Sequence, residues 1–232
     1  MTSRRECAWQ PAEAPAVGLS LRAPVRGRSN RITEGIATLT LRSGPGEASL
    51  DNPPLTPQLS ELEQQAMAAY RGGDLAAADD GFAAAQSAYR IAGDDRKAAE
   101  MANNRCVVLV GLGRGEEAVR VVEGTAGVFA SGGDAVMAAK ATGNLAAALE
   151  SVGRLDEAAA AYVRALDGFR AAGDRASESE TWQALSRLQL RRGDAFGAAA
   201  SAQAALDSGP KPGPLRRLLR RVTAKAFRFP RV

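Results

Sequence analysis

Apolar residues recur every three or four positions through the middle of the chain. Between residues 145 and 166 two such stripes follow each other: Leu145, Leu149 and Val152, then Leu155, Ala158, Tyr162, Ala165 and Leu166. This spacing places them on one face of an α-helix. Of the 11 prolines, seven lie at or before Pro57 and four at or after Pro210. Because a proline inside a helix costs about 3 kcal/mol, the proline-free middle predicts a continuous helical array.

Glycine turns divide this region at regular intervals. One series is spaced by 40 residues and a second series lies halfway between its members: Gly73, Gly113, Gly153 and Gly193, then Gly93, Gly133 and Gly173. Glycine adopts the left-handed conformation that ends a helix, and an Asp after it can cap the next helix. Each 40-residue unit is therefore predicted to hold two helices and two turns, with stacked units burying the apolar faces.

Small and apolar residues recur at fixed positions in the four units. They are Ala66, Cys106, Ala146 and Ser186; Ala78, Ala118, Ala158 and Ala198; Phe82, Val122, Tyr162 and Ala202; and Ala85, Thr125, Ala165 and Ala205. Trp182 and Leu185 add a Trp-x-x-Leu spacing in the fourth unit. The pattern resembles the tetratricopeptide repeat, in a longer form that is familiar in bacterial regulators. It departs from the usual period of about 34 residues and lacks the closing proline. HEAT and armadillo arrays fit the period but not this set of small residues.

The resemblance implies an all-α fold, a right-handed α-solenoid of four helix-turn-helix repeats plus a C-terminal capping helix. The array covers residues 58–209, with repeats at about 59–98, 99–138, 139–178 and 179–209. Residues 1–57 are expected to be disordered or weakly structured, with a weak signal for a strand pair around residues 31–42. Residues 210–232 are expected to form a basic helix and tail.

The resemblance also implies that the first helix of each repeat lines a concave groove, which binds a peptide or a partner protein. The residues carried over to that groove are Gln64, Met67, Tyr70, Arg71, Asn103, Asn104, Val107, Lys140, Asn144, Glu150, Gln183, Arg187, Leu190 and Arg191. Asn104 and Asn144 recur at one position, and an amide can hold an extended peptide backbone. The cations Lys140, Arg187 and Arg191 favour an acidic ligand, although ordinary solvated charges remain the alternative. The predicted function is a protein–protein interaction scaffold.

The C-terminal segment differs in charge from the rest of the chain. Residues 211–232 carry eight Lys or Arg and no acid, whereas residues 59–210 carry 15 Lys or Arg and 21 acids. One helical face would hold Leu215, Leu218, Leu219, Val222 and Ala226, and the basic residues are Arg216, Arg217, Arg220, Arg221, Lys225 and Arg228. A solenoid needs a terminal cap with a polar outer face. The alternative is a regulatory protein whose basic helix contacts nucleic acid, an anionic membrane or an acidic partner.

The residues that enzymes need are scarce in this sequence. It contains no histidine, and Cys7 and Cys106 are too few for a disulfide framework or a four-thiolate zinc site. The run from Gly111 to Gly115 lacks the last glycine of a nucleotide-binding loop, because Glu116 stands there. We therefore expect no catalytic residue, cofactor or metal. Without a long apolar stretch or a signal-like start, the chain is expected to be cytoplasmic, and its use of Ala, Gly and Arg suggests a bacterial source.

Overall fold

The structure is a computed structural model that describes residues 55–209, with side chains from residue 58 onward. This range is all-helical, without a strand, and its helices are α1 (Leu55–Arg71), α2 (Leu75–Ile91), α3 (Asp95–Gly111), α4 (Gly115–Val122), α5 (Thr125–Ser131), α6 (Ala135–Ser151), α7 (Leu155–Ala172), α8 (Arg175–Arg191) and α9 (Ala195–Ser208). The weakly structured region predicted for residues 1–57 lies outside this range except for residues 55–57, which begin α1. The predicted strand pair and the predicted capping helix also lie outside it.

The turns have the geometry that the glycine series predicts. All seven turn glycines have positive φ angles, between 71° and 81°. At five of the turns the following Asp caps the next helix, its Oδ1 accepting from a backbone N–H at 2.8–3.1 Å: Asp74, Asp94, Asp134, Asp174 and Asp194. Arg114 and Arg154 occupy the other two cap positions, and their guanidinium groups instead pair with Glu117 and Glu157. Local sequence thus determines where each helix begins and ends.

The helices pack in chain order. Each hairpin contacts the next, and the first helices of successive pairs also touch, α3 with α6 and α6 with α8. The recurring small residues lie where helices approach, since Ala78, Ala118 and Ala158 are fully buried and Ala198 nearly so. The larger anchors Phe82, Val122 and Tyr162 are buried as well, but Ala202, their counterpart in the last pair, is exposed.

The second pair departs from the predicted unit of two helices. Its second helix is broken between α4 and α5, where Gly124 has a φ of 82°. The break adds no residue, because α4 and α5 together span residues 115–131 and α2 spans the equivalent residues 75–91. A side-chain hydrogen bond joins Asn103 of α3 to Thr125 at this break, as described below. No helix in residues 55–209 is long and apolar enough to cross a membrane.

Candidate functional site

The first helices of the four pairs, α1, α3, α6 and α8, carry all the residues that the sequence assigns to a groove. In α1, Gln64 and Arg71 are exposed, while Met67 and Tyr70 are half-buried against the core cluster that contains Phe82. Arg71 is held against the helix, because its Nε donates to the Met67 carbonyl at 3.2 Å. The α1 surface therefore combines exposed polar groups with two partly covered apolar side chains.

Asn103 of α3 is an interior residue rather than an open one. It is only 3% exposed, and its Oδ1 lies 3.2 Å from the hydroxyl of Thr125 in α5. That hydroxyl has one proton, which it donates to the Val122 carbonyl at 2.7 Å. Turning the amide lets Nδ2 donate to the Thr125 hydroxyl while that hydroxyl donates to Val122. Asn103 thus closes the break between α4 and α5.

Asn104, the next residue along α3, keeps an unused donor. The residue is half-buried, and its Nδ2 has no hydrogen-bond partner among the described residues. Leaving a buried polar group unpaired costs about 1–3 kcal/mol, and because this nitrogen is shielded from solvent, a ligand could accept from it only after the side chain turned outward. Val107, one turn further on, is half-buried and supplies an apolar neighbour.

In α6 the three assigned residues have three different environments. Lys140 is half-buried, and Asn144 is 7% exposed, much less than its repeat counterpart Asn104. The Asn144 carbonyl accepts from the Cys106 thiol at 3.7 Å. Glu150 is half-buried near the end of the helix. Asn104 and Asn144 therefore differ in exposure, although the sequence predicts that they bind a ligand in equivalent ways.

The four assigned residues of α8, Gln183, Arg187, Leu190 and Arg191, are all exposed. Leu190 is unusual among them, because it is apolar and 60% of its surface is exposed to solvent. Arg191 is tied to α6, because its Nη1 donates to Glu150 Oε1 at 2.7 Å. The open end of α8 thus offers an apolar side chain between two arginines.

Glu150 is shared by two helices besides its own. Its Oε2 accepts from the hydroxyl of Tyr162 in α7 at 3.1 Å, while its Oε1 accepts from Arg191 of α8. Burial, together with the charge of Glu150 and the hydrogen bond to it, raises the pKa of Tyr162 well above its usual value. The phenol therefore stays protonated and remains a donor at neutral pH.

This pairing changes the predicted cationic set. Arg191 is partly neutralised by Glu150, whereas Lys140 and Arg187 form no ion pair within residues 55–209. These two of the three predicted cations therefore have no direct carboxylate contact, although Lys140 also lies near Asp134 and Glu180.

Sequence reasoning missed a polar cluster where the first two pairs meet. Glu63 accepts from the hydroxyl of Tyr89 at 2.9 Å and from Lys97 at 3.2 Å, and Lys97 also contacts Glu100 at 3.2 Å. The Lys97 ammonium lies 5.9 Å from the centre of the Tyr89 ring. The repeat could have pointed to part of this cluster. Glu63 lies next to Gln64, a predicted groove residue, and Glu100 occupies the repeat position of Lys140, another predicted groove residue. The cluster combines two carboxylates with one ammonium, and its contacts join α1, α2 and α3 at this junction.

The predicted basic residues Arg216, Arg217, Arg220, Arg221, Lys225 and Arg228 lie outside the described residues. Within residues 55–209 no group of three or more Cys, Asp or Glu could hold a metal ion. No protein-family model matches the chain, and a comparison with curated protein sequences finds no match.

Proposed function

We propose that residues 55–209 form a right-handed, tetratricopeptide-like array of four helix pairs, which acts as a protein–protein interaction scaffold. Its concave groove, formed by α1, α3, α6 and α8, binds a segment of a partner protein. Support comes from the 40-residue register, the repeated turn geometry and the packing of helices in chain order. We propose no catalytic step.

One observation carries the assignment of the site. Leu190 is 60% exposed and has Arg187 one helical turn away, and that arginine has no ion pair among residues 55–209. An isolated exposed leucine needs no explanation, but an apolar side chain beside an unpaired cation fits a ligand that brings both an apolar residue and a carboxylate.

The ligand is therefore proposed to be an acidic segment with at least one bulky apolar residue. The test selects peptides on the full chain from a displayed library of random twelve-residue peptides, then measures the selected peptides by fluorescence anisotropy. We expect acidic residues and bulky apolar residues to be enriched. Arg187→Glu is expected to weaken binding by about 10-fold or more, because it replaces attraction by repulsion.

A matched control comes from Arg164 of α7, an exposed arginine on a second helix that also lacks an ion pair in the described range. Arg164→Glu makes the same change of charge away from the groove, so it should leave affinity within about 2-fold, since a distant exposed charge is screened. If Arg187→Glu and Arg164→Glu weakened peptide binding equally, the peptides would be responding to the net charge of the protein. That result would contradict the groove assignment. Leu190→Asp should weaken binding as much as Arg187→Glu, and unchanged affinity would remove the apolar contact.

A further inference from the structure

The last helix, α9, exposes an apolar stripe along its length. Phe196 is 93% exposed near the start of the helix and Leu206 is 72% exposed near its end, with the exposed Ala199 and Ala202 between them. Their spacings of three, three and four residues place the four side chains on one face. These four residues are called the α9 stripe. A continuous apolar surface of this kind calls for a covering element.

A further helix pair stacked in register would leave Phe196 uncovered. Asp156 of α7 and Glu116 of α4 occupy the repeat position of Phe196, and both are exposed although a following pair packs on their helices. The anchor position differs as well, because Tyr162 is buried in one core cluster with residues of α8, whereas its counterpart in α9 is Ala202. The α9 stripe therefore differs from the surface that earlier pairs offer to the next pair.

The α9 stripe is nearly symmetrical about its centre. Phe196 and Leu206 lie about 15 Å apart along the helix axis, with two alanines between them. If two copies of α9 pack antiparallel, Phe196 of each copy meets Leu206 of the other. The alanines then meet at the middle, where small side chains allow two helix axes to approach closely. The stripe is therefore complementary to a second copy of itself, as a two-fold contact requires.

The charge of α9 favours the antiparallel direction. Asp207 is the only charged residue in this helix. Parallel pairing would bring two Asp207 carboxylates together, whereas antiparallel pairing separates them by roughly 18 Å, beyond the reach of strong repulsion in salt. Residues 211–232 carry eight cations, for which α9 offers this one acid, so charge does not favour the end of the chain as the covering element.

The surface of α1, at the opposite end of the array, does not match the α9 stripe. From residue 58 onward its exposed side chains are polar with one exception, an alanine: Ser60, Glu61, Gln64, Gln65, Ala68 and Arg71. A head-to-tail contact would need matching surfaces at both ends, whereas a two-fold contact uses the same surface from each copy. The two ends therefore favour a closed dimer over a filament.

The size of the stripe sets the expected strength of the contact. An exposed phenylalanine offers about 150–250 Å² of surface, and the rest of the stripe brings the area to the order of 500 Å² from each copy. Two copies would bury about 1,000 Å² in total, at the low end for a specific interface. We therefore expect a dimer that dissociates in the micromolar range.

We propose that the protein forms a two-fold dimer in which the α9 stripes of two copies pack antiparallel. This contact does not depend on the ligand of the groove, because the groove is assigned to α1, α3, α6 and α8. It also differs from the predicted capping helix, which would cover the end of the array within one chain.

Sedimentation of the full chain over a concentration series measures the pairing. Phe196→Gln and Leu206→Gln each alter one end of the stripe, and glutamine is well tolerated in helices. Because each dimer loses two apolar side chains, either variant should raise the dissociation constant by about 10-fold or more. Ile91→Gln is the matched control. Ile91 is 74% exposed at the end of α2, so this change should leave the constant within about 2-fold.

Disulfide formation between copies tests the direction of pairing. In a Cys7→Ser background, chains with Phe196→Cys and chains with Leu206→Cys are mixed in a buffer of reduced and oxidised glutathione. The native Cys106 is buried and does not compete. Antiparallel packing should link the two variants to each other faster than either variant links to itself.

A wild-type chain that stays monomeric at about 0.5 mM, far above the expected dissociation constant, would overturn the proposal. The stripe would then be covered within one chain or left open. A dimer that both α9 variants leave intact would overturn it too, because the contact would lie elsewhere. Faster linking of each cysteine variant to itself would contradict the antiparallel arrangement.

Discussion

Arg105 Nε of α3 donates to Asp79 Oδ1 of α2 at 2.6 Å, and this ion pair replaces an apolar contact that the later junctions keep. The Asp79 side chain is 7% exposed and that of Arg105 is 19% exposed. At the same repeat positions, the next two junctions have Val119 with Leu145 and Ala159 with Leu185, all in one core cluster. Arg114 and Glu117 complete the charged set, each contacting both residues of opposite charge. The first junction therefore depends on a ring of two guanidinium and two carboxylate groups.

Arg105→Leu alone is expected to destabilise the chain strongly. It leaves the buried Asp79 with Arg114 as its only cation, and losing a hydrogen bond to a charged group costs about 1.5–3 kcal/mol. Urea denaturation followed by circular dichroism measures the loss.

Adding Asp79→Val to Arg105→Leu should recover most of that loss. The double variant installs the residue types of the second junction and leaves Arg114 paired with Glu117, so its free energy of unfolding should lie within about 1 kcal/mol of the wild type. A double variant as unstable as Arg105→Leu would mean that this junction cannot accept apolar packing.

The ring also marks a limit of sequence reasoning. Glycine turns and Asp caps were predictable because each acts within a few residues of itself. Asp79 is 26 residues from Arg105 and 35 residues from Arg114. Only the stacking of α2 on α3 brings these residues together. The sequence alone does not show which charged residues become partners.

Gly124→Ala and Gly127→Ala are expected to change stability in opposite directions. Gly124 has a φ of 82° at the break, where a side chain costs about 1 kcal/mol or more. Gly127 lies inside α5, and a Cβ there would meet nothing within 4 Å, so alanine should add about 0.5–1 kcal/mol. Melting temperatures of the two variants distinguish the sites. Stabilisation by Gly124→Ala would show that α4 and α5 can join into one helix.

The break between α4 and α5 explains why Asn103 is buried although the sequence assigned it to the groove. Its position on α3 matches that of Gln183 on α8, which is exposed. In the second pair, however, the Thr125 hydroxyl lies in the interior at the break between α4 and α5, and Asn103 is its side-chain hydrogen-bond partner.

Cys106 is expected to behave as a packing residue. It is 1% exposed at the position of Ala66 and Ala146, and burial raises the pKa of its thiol to about 12. In a Cys7→Ser background, a thiol reagent should label Cys106 only as fast as the array opens. Cys106→Ala should cost about 1 kcal/mol, because it removes one buried atom. Rapid labelling of the folded chain would contradict the burial.

Glu180→Gln is expected to stabilise the chain at neutral pH and to lose that effect in acid. Glu180 is half-buried in α8, at the repeat position of Lys140. Partial burial, with the nearby Asp174 carboxylate, raises the pKa of Glu180 above its ordinary 4.5 against the opposing effect of Lys140. A carboxyl whose pKa is higher in the folded than in the unfolded chain favours folding while protonated, and that contribution is lost as pH rises through the folded pKa.

The variant should therefore melt higher than the wild type at pH 7, and the gap should close as pH falls below about 4.5, where both side chains are neutral. Glutamine and glutamate have similar helix propensities, so the difference reports charge rather than backbone preference. Glu61→Gln, at an exposed position of α1, serves as the control and should show no such gap. A gap that persisted unchanged in acid would mean that ionisation of Glu180 is not its cause.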